Sequence, residues 1–386
     1  MVLTMPFSCA TEVRSVDDVA LVVAVLIGSR SWALVTSSYW RSSGVVERLR
    51  QSCGAPIAVI SDVAPNPELS HMFSLAEQMP SVDVVVALGG GSVIDAAKAM
   101  AALVAIKHDR EKMVDHLRNG VPLPADMKPM PIIAIPTTSG TGAELTPWGT
   151  IWGDDGIKFS VNHPALRPRQ ALLDASLCIT MPHDLTLASG LDALSHAMES
   201  VWNRRHSQVT DGVATQAIRM IHESLPLALA DSGNVQVRRN VQTASVLAGM
   251  CMGTTQTALA HSISYPFTSR FGIPHGLACS FTLPEIARFN LEADPNRLKP
   301  IADALDCDPA DLGTKLEAWL DELEIGEFLG RYVGPDAIAS LPNGLINRSR
   351  AMNNIREVDG PMARAIAGTA LKRLIKAPIT GAVAAQ

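Results

Sequence analysis

The chain has 386 residues, of which 47% are hydrophobic and 18% are charged, and its formal net charge is −6 at pH 7. This composition supplies large cores and excludes an intrinsically disordered chain. A length beyond about 250–300 residues predicts two domains. Because Lys and Arg are scattered and the net charge is negative, we expect no nucleic-acid binding.

Six cysteines lie far apart and form no CxxC pair, a usage typical of free thiols in a reducing compartment. Residues 1–18 lack a basic segment followed by a long apolar core, so no signal peptide is expected. Apolar runs such as residues 19–28 are shorter than the roughly 20 residues of a membrane span. We therefore expect a soluble, cytoplasmic protein that does not bind membranes.

Residues 1–178 alternate β-branched runs with amphipathic segments, the order of a parallel sheet covered by helices. The predicted strands are WALVTS (32–37), IAVISD (57–62), VDVVVALGGG (82–91) and PIIAIPTT (131–138). The predicted helices are SGVVERLRQS (43–52), PELSHMFSLAEQM (67–79) and SVIDAAKAMAALVAI (92–106). Ligands of such sheets bind beyond the carboxyl ends of the strands. We predict an α/β N-terminal domain over residues 1–178.

Beyond residue 178 the strand-like runs stop and long helical patterns follow, such as residues 184–203 and 209–230. Apolar residues in these segments recur with the period of a helix. We predict an all-α C-terminal domain over residues 179–386.

A strand, three glycines, a serine and a helix follow one another in VVVALGGGSVIDAAKAM (84–100). Glycine lets the backbone approach a ligand closely. Ser92 and the first N–H groups of the helix favour an anion such as a pyrophosphate. A tight turn without a ligand explains the same letters equally well, and the spacing is not the GxGxxG of a Rossmann fold.

A second loop rich in donors, IPTTSGTGAELTPW (135–148), follows the next predicted strand. Its four threonines are Thr137, Thr138, Thr141 and Thr146. Two such loops at the ends of two strands favour a bound dinucleotide over two ordinary turns.

Asp192 and His196 lie four residues apart in GLDALSHAME, so on a helix both side chains project from one face. A carboxylate among Leu, Ala and Met is costly to bury without a partner. His261 and His275, in TALAHSISYPFTSRFGIPHG, add two imidazoles. This set suits Fe²⁺ or Zn²⁺ with a position left for a substrate oxygen, but spacing leaves open whether the four residues converge.

The motifs GGGSVIDAAKAM, PTTSGTGAELT, GLDALSHAMES and the segment from His261 to Pro-His-Gly, in this order, resemble the iron-containing (group III) alcohol dehydrogenase family. The resemblance covers most of the chain, including PNP at 65–67. It implies a dinucleotide-binding domain, a helical metal-binding domain and an active site in the cleft between them. It places the metal ligands on Asp192, His196, His261 and His275.

The resemblance also implies contacts with NADH or NADPH. The pyrophosphate loop corresponds to Gly90, Gly91, Ser92 and Asp95, and the second loop to Thr137, Thr138, Thr141 and Thr146. Lys158 matches a lysine that reaches the nicotinamide ribose, and Asn66 matches a position near the adenine.

Ser37 departs from the family pattern, in which many members have Asp at the end of this strand. A carboxylate there accepts hydrogen bonds from the adenosine ribose and would repel a 2′-phosphate. Ser37, aided by Arg41, tolerates that phosphate, so we predict that NADPH is accepted. A serine that only caps the turn leaves NADH usable as well.

Tyr265 is a second departure, since many members have His four residues after the ligand at position 261. That histidine is associated with proton relay near the nicotinamide. A tyrosine with an ordinary pKa near 10 relays protons less readily. Tyr265 as the relay and a space-filling Tyr265 with water as the relay both remain open.

The segments TPWGTIWGDDGIKFS and ESVWN resemble the phosphonoacetaldehyde reductase branch, which implies reduction to 2-hydroxyethylphosphonate. Trp148 matches a substrate-pocket position and leaves little room for a long alkyl chain. Arg270 is the first candidate to pair with a phosphonate dianion. Arg204, Arg205 and Arg350 are weaker candidates.

Two other functions remain possible on sequence grounds. A general short-chain alcohol or lactaldehyde dehydrogenase needs no anionic pocket. A cyclase similar to dehydroquinate synthase shares the architecture, but its richer cationic pocket and Glu-His-His metal site are not matched here. The family also suggests a homodimer or a higher homo-oligomer.

Overall fold

The computed structural model of the chain describes residue 7 and residues 9–341 and 346–375. The described chain divides into two compact units. The α/β unit comprises residues 9–181 and 233–242, and the helical unit comprises residue 7, residues 182–232 and the described residues from 243 onward.

The α/β unit is built on a parallel sheet. The strands of the sheet are β1 (Glu12–Ser15), β2 (Trp32–Thr36), β3 (Ala58–Ile60), β4 (Val84–Gly89), β5 (Ile132–Pro136) and β8 (Gln170–Leu173). Two further strands of the unit, β6 (Trp148–Trp152) and β7 (Lys158–Asn162), lie outside this sheet. Its helices are α1 (Val19–Ile27), α2 (Ser38–Arg41), α3 (Gly44–Cys53), α4 (Leu69–Glu77), α5 (Gly91–Ala105) and α6 (Arg110–Asn119).

Six strands of the described chain form this sheet in the order β1-β8-β5-β4-β2-β3, and every neighbouring pair is parallel. Its central strands are apolar along their whole length because helices cover both faces. Val86 and Leu88 of β4 pack with α1 and α3, whereas Val85 and Ala87 pack with α4 and α5. Gly89 lies opposite Pro136 in the β4–β5 register, so the two loops that follow leave the sheet side by side.

Strands β6 and β7 form a separate antiparallel pair, with Trp148 opposite Asn162 and Trp152 opposite Lys158. The sequence predictions did not include this hairpin. It packs against α5 so closely that a Cβ at Gly149 would lie 2.9 Å from the carbonyl oxygen of Asp95.

The helical unit contains no strand within its described residues. Its helices are α7 (His183–Val201), α8 (Gln208–Ala230), α9 (Val235–Thr255, whose residues to 242 group with the α/β unit), α10 (Leu259–Phe271), α11 (His275–Ser280), α12 (Leu283–Leu291), α13 (Pro295–Ala304), α14 (Leu312–Glu322), α15 (Ile325–Gly330), α16 (Arg348–Ala351) and α17 (Gly360–Leu374). The predicted fold class, a parallel α/β domain followed by an all-α domain, is confirmed. No helix among the described residues is both long and apolar enough to cross a membrane.

Helix α7 is buried nearly all round from Thr186 to Val201. Its Leu, Ala and Met residues are strong helix formers, and they pack against α8, α10 and α11 in the core of the unit. A helix without a solvent-facing side can carry polar residues only if they have partners within the protein. Asp192 and His196 lie on this helix.

Gly276 allows α11 to lie directly on α7. A Cβ at this position would lie 1.8 Å from the carbonyl oxygen of Ala188 and 2.8 Å from the Cβ of Asp192. No side chain can be accommodated against a backbone carbonyl at that distance. The Pro-His-Gly motif therefore has a packing reason: glycine brings the start of α11, and with it His275, beside Asp192.

We predict that Gly276→Ala destabilises the protein and abolishes metal binding, because α11 must move away from α7. Overpacking of a core typically costs about 1–3 kcal/mol, and a clash with backbone lies at the upper end of that range. Chemical denaturation and elemental analysis of the purified protein measure the two effects.

Gly368→Ala is the matched control. Gly368 lies in α17, where the nearest atom to an added Cβ is 3.7 Å away. Alanine there should leave stability unchanged or raise it by up to about 1 kcal/mol. Equal denaturation midpoints for Gly276→Ala and the unchanged protein would contradict the packing argument.

Candidate metal centre and cofactor loops

Asp192 and His196 lie on consecutive turns of α7, and both are buried. His196 Nε2 is 3.7 Å from Asp192 Oδ1. The helical spacing predicted from the sequence therefore places both side chains on one face of the helix.

His261 on α10 and His275 on α11 lie beside this pair. His261 Nε2 is 3.5 Å from Asp192 Oδ1. The ring of His261 stacks on that of His196 at 4.8 Å between centroids and meets the ring of His275 edge-on at 5.3 Å. The structure thus brings together the four residues predicted as ligands.

Two atoms in this cluster support a bound cation. Asp192 Oδ1 and His261 Nε2 are buried and have no hydrogen-bond partner in the described part of the chain. Buried polar atoms are almost always satisfied, so two orphaned electron-pair donors facing each other require an explanation. A divalent metal between them satisfies both, and a carboxylate with imidazoles is a suitable donor set.

Glu199, which was not predicted, fixes the orientation of His261. Its carboxylate lies 2.7 Å from His261 Nδ1 and accepts hydrogen bonds from the backbone N–H groups of His261 and Ala258, at 3.1 and 2.9 Å. A proton on Nδ1 leaves Nε2 as the free donor atom, the usual arrangement of a metal-binding histidine. Glu199 lies seven residues after Asp192, so helical spacing already placed it on the same face.

Cys279 was also missed. One ligand atom each from Asp192, His261, His275 and Cys279 lie within 4.8 Å of one another. Cys279 follows His275 by four residues on α11, which was the available signal.

Charge distribution in the centre favours an ionised carboxylate. Burial alone would raise the pKa of Asp192, but the imidazoles of His196, His261 and His275 together lower it below its usual range. Asp192 is therefore an anion that partly neutralises a divalent cation.

Tyr265 lies near the candidate metal centre. Arg270 lies on a different face of α10 from His261. The ring of Tyr265 is nearly parallel to that of His275, with centroids 6.3 Å apart. Arg270 is exposed in the last turn, and nine residues of helix place it on the side opposite His261.

Two of the weaker arginine candidates have partners elsewhere. Arg204 Nε donates to the carbonyl oxygen of Asn354 at 2.9 Å, and Arg350 Nη1 donates to Gln256 Oε1 at 3.2 Å. Arg205 is exposed.

The two predicted cofactor loops touch each other in the α/β unit. A Cβ at Gly91 would lie 2.7 Å from the side-chain Oγ1 and Cγ2 of Thr141, and one at Gly90 would lie 3.1 Å from Thr138. The backbone N–H of Thr137 donates to the carbonyl oxygen of Gly89 at 3.1 Å. The glycines therefore bring the first loop onto the second.

Other predicted cofactor residues lie around these loops. Ser92 Oγ accepts from the backbone N–H of Asn66 at 3.2 Å. Ser37 directly follows β2 and makes no capping hydrogen bond with its side chain, while Arg41 Nη1 donates to Ser61 Oγ at 3.0 Å.

The fully buried side chain of Lys98 ties the second loop to α5. Its Nζ donates to the carbonyl oxygens of Ala143 and Trp148, both at 2.6 Å, and lies 3.3 Å from Thr146 Oγ1. Asp95, one turn earlier, lies 3.5 Å from Lys98 Nζ and accepts from the backbone N–H of Thr150 at 2.9 Å. Asp95 and Thr146, predicted as cofactor contacts, are thus parts of this network.

Comparison with known proteins agrees with this geometry. Residues 11–175 match the iron-containing alcohol dehydrogenase family, and residues 186–339 match the C-terminal part of the same Fe-containing family. The chain belongs to the iron-containing alcohol dehydrogenase family. This confirms the family resemblance and the predicted enzyme class, a metal-dependent, nicotinamide-linked alcohol dehydrogenase or aldehyde reductase.

Individual relatives of this alcohol dehydrogenase differ in substrate. It is 32% identical over 301 residues to 1-propanol dehydrogenase PduQ of Citrobacter freundii, covering 77% of this chain and 76% of that one. It is 33% identical over 283 residues to the NADPH-dependent butanol dehydrogenase of Clostridium saccharobutylicum, covering 72% of each. The NAD⁺ complex of sulfoacetaldehyde reductase from Bifidobacterium kashiwanohense aligns with a TM-score of 0.86 at 28% identity, covering 96% of this chain and 99% of that one.

Glu144 in the second cofactor loop gives this dehydrogenase a pH-dependent element. Burial raises the pKa of the Glu144 carboxyl from 4.5 to about 7. An acid with a raised folded-state pKa holds an extra proton in the folded protein. Its contribution to stability is therefore complete below about pH 4.5 and is lost as the pH rises through about 7.

We predict that the unfolding free energy of the unchanged protein falls relative to Glu144→Gln between about pH 5 and pH 8. The decline is at most on the order of 3 kcal/mol, at about 1.4 kcal/mol per pKa unit. Denaturation at several pH values measures it, with Glu111→Gln, an exposed site on α6, as the control. A pH-independent difference between the protein and Glu144→Gln would contradict the raised pKa.

Proposed function

We propose that this protein reduces a small aldehyde to a primary alcohol with NAD(P)H, using a divalent metal held by Asp192, His196, His261 and His275. The observation that carries the proposal is the pair of buried, unsatisfied atoms, Asp192 Oδ1 and His261 Nε2, at the meeting point of these side chains. Fe²⁺ and Zn²⁺ both suit this donor set.

The metal, when bound, supplies a Lewis acid for the oxygen of the substrate. The chain's own residues supply the rest of the chemistry. Glu199 holds His261 in the tautomer that leaves Nε2 available, and Asp192 contributes negative charge in a buried site. Tyr265, whose ring centroid lies 6.3 Å from that of His275, is proposed to donate the proton to the substrate oxygen through its hydroxyl, directly or through water.

The cofactor is proposed to bind at the two touching loops of the α/β unit. The amino end of α5 and Ser92 favour the pyrophosphate, and the threonines of the second loop supply further donors. Lys158 is proposed to reach the nicotinamide ribose and Asn66 to lie near the adenine. The NAD⁺ bound in the sulfoacetaldehyde reductase structure supports a nicotinamide dinucleotide here.

For the substrate, we propose an aldehyde with a tetrahedral anion on the neighbouring carbon, namely phosphonoacetaldehyde. The resemblance of residues 146–160 and 199–203 to that reductase branch supports it. So does the similarity to sulfoacetaldehyde reductase, whose substrate carries a sulfonate at the same place. Trp148 is proposed to limit the length of the substrate and Arg270 to pair with the anion.

A plain short-chain alcohol dehydrogenase is the second candidate. The relatives that are 32% and 33% identical act, by their names, on 1-propanol and butanol. Neither substrate carries a charge, and the exposed position of Arg270 on α10 favours this alternative. A homodimer or a higher homo-oligomer, and a cytoplasmic location, remain predictions.

We predict that metal-loaded protein oxidises NADPH with phosphonoacetaldehyde at a kcat/KM at least about a hundredfold above that for propionaldehyde or lactaldehyde. Such a ratio is about 2.7 kcal/mol of discrimination in the transition state. Protein from which a chelator has removed the metal, and the Asp192→Asn variant, should be inactive with every aldehyde. Higher kcat/KM values for the uncharged aldehydes would overturn the phosphonate proposal, whereas the assignment as an alcohol dehydrogenase would still stand.

We predict that Ser37→Asp raises the KM for NADPH about tenfold or more and leaves the KM for NADH unchanged or lower. The introduced carboxylate repels a 2′-phosphate, and tenfold corresponds to about 1.4 kcal/mol. Steady-state kinetics with both cofactors measure this effect. Ser37→Asn, which has the size of Asp without its charge, is the control, and an equal change in that variant would contradict the electrostatic explanation.

A further inference from the structure

We propose that Cys279 is an additional ligand of the metal centre, and that its thiolate gives the centre a preference for Zn²⁺ over Fe²⁺. The inference rests on the proposed function only in requiring that a metal binds beside Asp192 and His261.

The position of Cys279 follows from the geometry of α11. It lies one turn after His275, and its Sγ is 3.7 Å from both ring nitrogens of that histidine. The thiol therefore lies over the same face of the helix as the imidazole and is completely buried.

Cys279 lies in the same space as the two unsatisfied atoms. Its sulfur, one ring nitrogen each of His261 and His275 and an oxygen of Asp192 lie within 4.8 Å of one another. Two of these atoms, Asp192 Oδ1 and His261 Nε2, lack hydrogen-bond partners among the described residues. Metal–ligand distances of about 2.0–2.3 Å place the donors of a tetrahedral site about 3.3–3.8 Å apart, so these side chains must approach one another by up to about 1 Å on binding.

The other buried cysteines have different surroundings. Cys251 Sγ lies 3.4 Å from the carbonyl oxygen of Thr210, and Cys178 Sγ lies near Ser139 Oγ and Gln242 Nε2. Neither belongs to a cluster of metal-binding side chains among the described residues. Burial alone therefore does not account for the location of Cys279 beside three other donors.

A thiolate changes which ion the centre selects. Sulfur ligands favour Zn²⁺, whereas a purely imidazole and carboxylate site also suits Fe²⁺. Cys279 releases its proton on binding, and its sulfur then donates an electron pair to the ion. With His196 beside Asp192, the centre has five potential donors. Zn²⁺ usually has four ligands and can expand to five, so four of these side chains as ligands leave one position for a substrate oxygen.

The direct test is X-ray absorption spectroscopy of the full chain loaded with one equivalent of Zn²⁺. We expect a scattering shell from one sulfur at about 2.3 Å, beside nitrogen and oxygen at about 2.0–2.2 Å. Cys279→Ser should lose the sulfur shell, and Cys279→Ala serves the same purpose if the serine variant does not fold. Cys307→Ser, at a half-buried thiol in the same unit, should retain it.

Zinc affinity provides the second measurement. Loss of a supporting group around a metal typically weakens binding about 10- to 100-fold. We expect at least that loss of Zn²⁺ affinity in Cys279→Ser, with a smaller loss for Fe²⁺ and none in Cys307→Ser.

Each outcome has a distinct meaning. If the unchanged protein binds one Zn²⁺ through nitrogen and oxygen alone, or if Cys279→Ser keeps the sulfur shell, Cys279 is not a ligand and the proposed centre survives without it. If the protein binds no stoichiometric metal, the proposed function fails together with this inference.

Discussion

The carboxylate of Asp192 imposes the constraint on which the helical unit depends. It lies 4% exposed on a helix that is buried nearly all round. An unpaired charge in such a place costs several kcal/mol, and the cost falls only if cationic or hydrogen-bonding partners surround it. The imidazoles of His196 and His261 approach this carboxylate to 3.7 and 3.5 Å, and a divalent cation between Asp192 Oδ1 and His261 Nε2 would supply the partner that Oδ1 lacks among the described residues. The packing of α11 on α7 and the placement of the candidate metal ligands around Asp192 therefore depend on each other.

The α/β unit is organised around a second contact, between backbone glycines and threonine side chains. Because Gly91 has no Cβ, Thr141 of the next loop lies where a side chain would otherwise be. Lys98 then fixes the far end of that loop through two carbonyl oxygens. A buried lysine whose amino group meets main-chain acceptors specifies one loop conformation, since other conformations leave that group unsatisfied. The loop is therefore ordered by contacts within the protein, which would reduce the ordering cost of binding a ligand there.

Much of this architecture was predictable from the sequence because it follows from short-range patterns. Apolar runs ending in polar or glycine-rich turns predicted β2, β3, β4 and β5, and helical spacing predicted the joint face of Asp192 and His196. The convergence of His261 and His275 on that face depends on how three helices pack, which spacing alone does not encode. Helical spacing placed Glu199 on the face of Asp192 and Cys279 on that of His275, but spacing does not show that either residue has a functional role until its neighbours in space are known. The β6–β7 hairpin was not predicted because β6, which contains Gly149 between Trp148 and Trp152, and the five-residue β7 lack a clear alternating pattern.

The backbone contact at Gly276 also bears on motion. A helix that touches another through the Cα of a glycine and a carbonyl oxygen has almost no free distance in which to slide or rotate. Bistable switching by a helix shift requires two arrangements of similar packing quality, and this contact permits one. The start of α11 and the facing turn of α7 are therefore expected to behave as a rigid frame on every timescale short of local unfolding. Movements that admit substrate or release product must then come from residues outside that frame.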